Sequence, residues 1–415
     1  MKLVFVSNYI NHHQIPFCNA MYETLEGSFA FIQTEAVEQE RIRMGWKETQ
    51  DLPYVRLFDQ EPEACRRLIQ EASVVLFGGT DEERYIEERL EAGKPVVRYS
   101  ERLYKTGQWK AVSPRGLLKK YHDHTRYGKA RVYLLCAGAY VPSDFHIVRA
   151  YPGKMYRWGY FTEVRHYDVD QLLENKGWQE EERSVYLLWA ARMIHWKHPE
   201  LAVETARHLR EKGIEFHMDL IGDGPLREQT EALTRKYGLE SCVRFLGFQA
   251  PEKVRDYMEK ADIFLFTSDR QEGWGAVANE AMNSGCALVA DHMIGAVPYL
   301  VKDGVNGYVY EDGNTEELFA LTERLAIDRE LAGKLGRNAY ETITKVWNGE
   351  NAAARLGELC IRLGLLEEGD FRKKASTGSG AGTETPQDGP CSAAPVISER
   401  RMYRLLKGRK CGRDC

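Results

Sequence analysis

No stretch of the 415-residue chain approaches the ~18 consecutive apolar residues of a membrane-spanning helix, so no such helix is expected. The opening "MKLVFVSNYINHHQ" holds one lysine and a short apolar run that breaks into polar residues. That run is too short for the core of a signal peptide and reads as a first buried strand. The nine cysteines show no CxxC spacing, and their number is odd. With no export signal, reduced thiols in a cytoplasmic protein are expected. No cluster with metal-ligand spacing is present, so neither a structural zinc nor a catalytic metal is expected. No GxGxxG follows the first strand, where the chain reads "VSNYINHHQ", which disfavours a dinucleotide-dependent oxidoreductase. No short repeat recurs, which excludes a solenoid. A net charge of −5 argues neither for nor against nucleic acid.

What is present is an α/β pattern long enough, at 43% hydrophobic, for two domains. Near-continuous apolar runs alternate with helical patterns in the first half: "LVFVSN", "FAFIQT", "YVRLFD", "VVLFGG", "PVVRYS" and "RVYLLCAG". The alternation restarts with "VYLLWAAR", "HMDLIGDG", "VRFLGF", "IFLFTS", "CALVAD" and "GYVYED", after the polar stretch "YFTEVRHYDVDQLLENKGWQEEERS". Such strands belong to parallel sheets covered on both faces. Two doubly wound, Rossmann-like domains are expected over 1–165 and 166–345. Helices are expected over 346–368. From 369 to 415 the chain turns Gly-, Ser-, Thr- and Pro-rich and then basic, and a disordered tail is expected, its last part able to form a short amphipathic helix.

The segment "QEGWGAVANEAMNSGCALVAD" concentrates the chemistry. It parses as a loop after "IFLFTS", a helix over "AVANEAMNS", and a strand beginning at "ALVAD", with Gly285 ending the helix. Glu272 then lies in a strand-to-helix loop, the edge at which α/β proteins bind ligands. Gly273 and Gly275 allow close approach of backbone, and the amides opening the helix around Gly275, Ala276 and Val277 suit an anion. Carboxylates such as Glu272 and Glu280 accept paired hydrogen bonds from vicinal hydroxyls. Arg192 and Lys197 follow "VYLLWAAR" in a loop before a helix that opens on Pro199, and two cations there suit a diphosphate. The turns after "HMDLIGDG" (Gly222, Gly224) and "VRFLGF" (Phe245, Leu246) end strands of the same predicted sheet.

Taken in order over roughly 185–345, Arg192 and Lys197, "IGDGP", "VRFLGF", "EGWGAVANE" and "NGYVYEDGN" resemble glycosyltransferase family 4, retaining enzymes with an E-x7-E signature. The resemblance implies the GT-B fold, two Rossmann-like domains facing a central cleft, with the helices over 346–368 crossing back onto the first domain. It implies that Arg192 and Lys197 hold the diphosphate of a nucleotide-sugar donor, expected to be a UDP-sugar. Glu272 would bind hexose hydroxyls, Glu280 the ribose, and "FLGF" would lie by the base, with Trp274 beside the donor. No metal and no cofactor besides the donor substrate are implied, because cations and helix amides neutralise the leaving group. The acceptor would attack from the face the leaving group departs, with no carboxylate nucleophile required.

The first half departs from that family's usual pattern, with "NYINHHQIPF" in place of a Gly-Gly loop and "FGGTDEERY" where a histidine is common. His12, His13, Asp81 and Glu101 are candidates for the acceptor side, as is Asn8, although Asn8 and Asn11 serve equally as helix caps. A stretch from Arg98 to Arg131 interleaves ten cations with Tyr104, Trp109, Leu117, Leu118, Tyr121 and Tyr127. That mixture suits an anionic membrane surface at the inner face of the plasma membrane, and no motif for nucleic acid accompanies it. The resulting expectation is a retaining hexosyltransferase acting on a glycan or lipid-linked acceptor in cell-surface polysaccharide synthesis. The alternative is a non-catalytic nucleotide-sugar binder or accessory subunit of the same fold, with an epimerase or phosphorylase less favoured.

Overall fold

The computed structural model describes residues 1–37, 51–108, 111, 113–177, 184–371 and 389–408. Trp109 and Lys110 of the basic stretch fall outside them. The chain divides into two compact units, Met1–Glu163 with Trp347–Ile397, and Val164–Val346 with the segment from Ser398 onward.

The first unit is built on β1 (Leu3–Ser7), β2 (Phe29–Gln33), β3 (Val55–Leu57), β4 (Val74–Phe77), β5 (Val96–Ser100), β6 (Val132–Ala137) and β7 (Met155–Trp158). The order across the sheet is β3-β2-β1-β4-β5-β6-β7, every pair parallel. Strands β1, β2 and β4 are buried along their whole length, which is why their sequences run apolar rather than alternating. On one face Val4, Val6, Ile32 and Val75 pack with Cys65 and Ile69 of the helix Pro62–Glu71. On the other, Phe5 meets Phe31 and Phe17 edge to face. Phe17 belongs to the helix Ile15–Thr24, against which the returning helix Gly349–Arg362 packs.

The second unit holds β8 (Val185–Ala190), β9 (Phe216–Ile221), β10 (Val243–Gly247), β11 (Ile263–Phe266), β12 (Ala287–Asp291) and β13 (Tyr308–Tyr310). Their order is β10-β9-β8-β11-β12-β13, again parallel throughout. Leu187, Trp189, Leu220, Ile263, Leu265 and Val289 form the core with Ala202, Val203 and Ala206 of the helix Pro199–Glu211. Pro199 opens that helix, where its missing N–H costs nothing. Gly285 takes φ 68° just after the helix Val277–Asn283, the left-handed turn foreseen for it.

The structure corrects two expectations. Residues 389–408 are not a disordered tail. Ala393 bridges Tyr156 of edge strand β7, and Glu399–Leu406 form a helix that buries Met402 and Tyr403. The short amphipathic helix expected of the tail's last part is present, over eight residues. The basic stretch is also less free than its composition suggests. Arg98 is buried and donates to both oxygens of Glu83 at 2.6 Å, and Arg102 is buried against Asp144. Burial of those two cations at strand ends requires partners, and the partners cancel their charge. The exposed, mixed surface narrows to the helix Pro114–Asp123, with Arg115, Leu117, Leu118, Lys119 and Tyr121 in solvent.

Among the described residues every cysteine is a free, buried thiol. No helix of the described residues is long and apolar enough to cross a membrane.

Candidate functional site

In a parallel sheet all strands end on one edge, and a crevice opens where the strand order reverses. In the second unit that reversal lies between β8 and β11. The loop after β8 carries Arg192 and Lys197, and the loop after β11 carries Glu272. The Lys197 ammonium donates to Glu272 Oε2, and both side chains are largely shielded, at 13% and 15% exposure. Two residues 75 apart in sequence are thus joined at the switch point.

Several contacts fix the two loops. Thr267 Oγ1 accepts from the indole N–H of Trp189 at 2.9 Å and donates to Lys197 O at 2.8 Å. Asp269 N–H donates to Trp196 O, while Gln271 N–H and Glu272 N–H both return to Asp269. His198, held at φ 49° before Pro199, points Nδ1 at Glu200 (2.7 Å) and Nε2 at Asp269 (3.5 Å). Hydrogen bonds donated to Asp269 and Glu200 outweigh burial and raise its imidazole to about 10, so it is a cation at neutral pH. His198 and Asp269 were not singled out from the sequence. Their pairing depends on a left-handed histidine and a loop 71 positions away, and no local pattern shows that.

The glycine turn after β9 sets where Arg192 sits. A Cβ on Gly222 (φ 131°) would lie 1.8 Å from Ala191 O, and one on Gly224 (φ 151°) 2.6 Å from Met193 O. Only glycine therefore lets this turn lie on the 191–193 loop, to which it is bonded through Met193 N–H and Asp223 O at 2.9 Å. The Arg192 side chain is exposed and makes no hydrogen bond or ion pair among the described residues.

The remaining candidates divide between lining and scaffold. A Cβ on Gly275 (φ 88°) would strike the Phe266 ring at 2.4 Å, so this glycine seats the loop on β11. Gly273 and Trp274 are buried, and the Trp274 indole N–H donates to Asn279 Oδ1 at 2.9 Å, which turns the side chain into the body of the unit. Ala276 caps the helix that Val277 begins. Glu280, on that helix, is half-buried with no hydrogen-bond or ion-pair partner among the described residues. Burial raises its carboxyl, against the pull of Arg255 and Arg165. At the end of β10, Phe245 packs partly on the core and Leu246 is half-buried. The ring left in solvent in "FLGF" is Phe248, at 55% exposure.

In the first unit the order reverses between β1 and β4. Asn8, His12 and His13 follow β1, Asp81 follows β4 and Glu101 follows β5. His13 stacks on Tyr160 at 5.6 Å and lies against His12 at 3.8 Å. Glu101 is already engaged, with Oε1 accepting from Tyr160 and Oε2 from Lys105, both at 2.5 Å. Asn8 Oδ1 accepts from Ser7 Oγ at 3.3 Å. Neither asparagine caps the next helix: Gln14 occupies the cap without a side-chain bond, and Asn11 Oδ1 accepts from His13 N–H. Asp81 lines a small cavity with Arg98, Lys119, Lys120 and Asp123.

Residues 170–342 match the family of glycosyl transferases group 1. The amylovoran biosynthesis glycosyltransferase AmsK of Erwinia amylovora is 32% identical over 182 residues, 43% of this chain and 44% of that protein. The alpha-D-kanosaminyltransferase of Streptomyces kanamyceticus is 29% identical over 179 residues, 43% of this chain and 46% of that one. These matches span less than half the length of either relative. Among solved structures, Anabaena Alr3699/HepE in complex with UDP is similar with a TM-score of 0.62 at 16% identity, covering 86% of this chain and 99% of that chain. Sucrose-phosphate synthase from Thermosynechococcus elongatus gives a TM-score of 0.61 at 14% identity, covering 88% and 99%. Identities this low speak for the fold alone: the chain has the two Rossmann-like domains of the GT-B fold, and its segment 170–342 matches the family of glycosyl transferases group 1.

Proposed function

We propose that the protein is a retaining glycosyltransferase that moves a hexose from a UDP-sugar to a glycan or lipid-linked acceptor in cell-surface polysaccharide synthesis. One observation carries the reading: Lys197 and Glu272 are paired at the topological switch point of the second unit, and Arg192 lies in the same loop as Lys197. Arg192 and Lys197 would hold the donor diphosphate, Glu272 the hexose, Glu280 the ribose and Phe248 the base. In the step proposed, the bond from the anomeric carbon to the diphosphate oxygen breaks. The acceptor oxygen bonds that carbon on the same face, and its proton passes to the departing diphosphate. Negative charge grows on the leaving group as the bond breaks, so cations fixed beforehand stabilise the transition state more than the ground state. The relatives' names, a glycosyltransferase of amylovoran biosynthesis and a kanosaminyltransferase, support transfer of a sugar, and HepE's complex with UDP supports the base. Acceptor contacts are assigned to His12, His13 and Asp81, and peripheral contact with anionic lipid to the helix Pro114–Asp123.

The test is a panel of nucleotide sugars incubated with the full chain, reading released nucleotide with and without acceptor, and NMR of the product anomer. Release of UDP with α-configured product from an α-configured donor is expected. Binding of nucleotide without turnover of any donor would favour the non-catalytic binder, and an inverted product would overturn retention.

A further inference from the structure

The helix Glu399–Leu406 lies on the second unit beside the loop that carries Glu272. Three contacts seat it. Tyr403 O–H lies 2.8 and 2.7 Å from the two oxygens of Glu317, and the Tyr403 ring packs on His292 at 5.2 Å, in the loop after β12. Lys407 pairs with Glu317 at 3.0 Å and Asp303 at 3.2 Å, with only a tenth of its side chain exposed. At the helix's opposite end Glu399 Oε2 accepts from Arg270 Nη2 at 2.7 Å. Arg270 stands at the first corner of the tight turn Asp269–Glu272, which Glu272 N–H closes on Asp269 O at 3.0 Å. From the other side His198 holds Asp269. The turn presenting Glu272 is therefore gripped at adjacent residues by two elements distant in sequence.

We propose that the C-terminal helix positions the donor loop, with Glu399 acting through Arg270 to hold Glu272 in place. This rests on the donor reading given above. Glu399 is a positioning residue. It touches no reacting group, and its effect falls on the sugar half of the donor, because Glu272 is the residue it steadies. The pair is about a third exposed on each side, so its direct worth is modest, on the order of a two- to fivefold effect. Tyr403 is buried and seats the whole helix, so its loss should cost about tenfold.

The experiment has two arms on the full-length chain. In the first, calorimetric titration with UDP and with UDP-glucose compares wild type, Glu399→Ala, Tyr403→Ala and the exchange Arg270→Glu with Glu399→Arg. Expected are weaker UDP-glucose binding in both alanine variants, unchanged UDP binding, and recovery in the exchanged pair. Equal losses for UDP and UDP-glucose with no recovery would show that the helix only stabilises the unit, which overturns the proposal. In the second arm, hydrogen exchange over 269–275 is followed without any ligand. Faster exchange in Glu399→Ala and Tyr403→Ala, returning to the wild-type rate in the exchanged pair, is expected, and wild-type rates in all variants overturn the proposal. A wild-type chain that binds neither probe removes the donor reading and the proposal with it. A wild type that binds while the variants match it removes the proposal alone.

Discussion

At the scale of single residues the two glutamates of the E-x7-E segment differ in their surroundings. Glu272 is paired with Lys197 in a loop, whereas Glu280 sits unpaired on a helix, half-buried and with its carboxyl raised by burial. If each reads a different sugar of one donor, their losses must differ in kind. A charge-assisted hydrogen bond to a bound ligand is worth roughly 1.5–3 kcal/mol, or roughly tenfold to over a hundredfold. Glu280→Ala should weaken UDP and UDP-sugar alike, while Glu272→Ala should spare UDP and lower turnover. Titration of UDP into both variants decides it, and equal losses in the two would end the division. His198 gives a second prediction. Its pKa is raised from 6.5 to about 10 in the folded chain by Asp269 and Glu200. A raised pKa contributes stability that is complete below 6.5 and is lost as pH climbs towards 10. The lowered carboxyls of Asp269 and Glu200 contribute above their ordinary range and are lost on acidification. Thermal stability of the second unit should therefore decline between pH 6.5 and 10, and His198→Gln should flatten that decline. A wild-type profile level across that range would count against the charged pair.

At the scale of elements, what the sequence showed and what it hid follow from one physical distinction. Strands buried on both faces need apolar residues at every position, so β1, β2, β4, β8, β11 and β12 stand out as runs. Strand β7 does not, because "MYRW" carries Tyr156 and Arg157 half-buried on an edge completed by residues from the far end of the chain. The loops of the candidate site were legible for a similar reason: glycines at positive φ and the cations at strand ends are local features. The grip of His198 and Glu399 on one turn was not, because each partner is remote in sequence. The helix Pro114–Asp123 lies between these cases. Its mixture of cations with aromatic and aliphatic residues was visible, but the burial of Arg98 and Arg102 against Glu83 and Asp144 was not. The surface that remains exposes Leu117, Leu118 and Tyr121 beside Arg115 and Lys119. Such a face should bind anionic vesicles in a salt-sensitive way. Leu118→Glu with Lys119→Glu should abolish cosedimentation with vesicles containing phosphatidylglycerol while leaving the melting temperature within a degree or so. Equal sedimentation with neutral and anionic vesicles would remove the membrane from the account.

At the scale of the whole molecule the chain changes units at three places, after Glu163, Val346 and Ile397. The last change lies within the stretch 369–415 that was expected to be a disordered tail. Before it, Cys391 N–H donates to Arg157 O at 2.8 Å and Ala394 N–H to Met155 O at 3.0 Å, which covers the edge of β7. Arg355, buried in the returning helix, donates to Pro390 O at 3.0 Å. After it, Met402 and Tyr403 are buried in the second unit. Two truncations separate these contributions. Ending the chain at Ile397 removes the helix Glu399–Leu406 together with Lys407 and the rest of the segment that belongs to the second unit, so only that unit should lose stability. Burial of a methionine and a tyrosine side chain is worth about 1.5–3 kcal/mol each. A unit of this size loses about 2–4 °C per kcal/mol, so a drop of several degrees is expected. Ending the chain at Phe371 should lower the first unit as well, because it strips the edge strand and removes the Pro390 acceptor of the buried Arg355 guanidinium. Calorimetry of the two truncated chains, resolved by unit through hydrogen exchange, measures both. Melting temperatures equal to the full chain in both truncations would mean that residues 389–408 contribute nothing to either unit. A loss confined to the second unit in the shorter chain would mean that β7 stands without its partner.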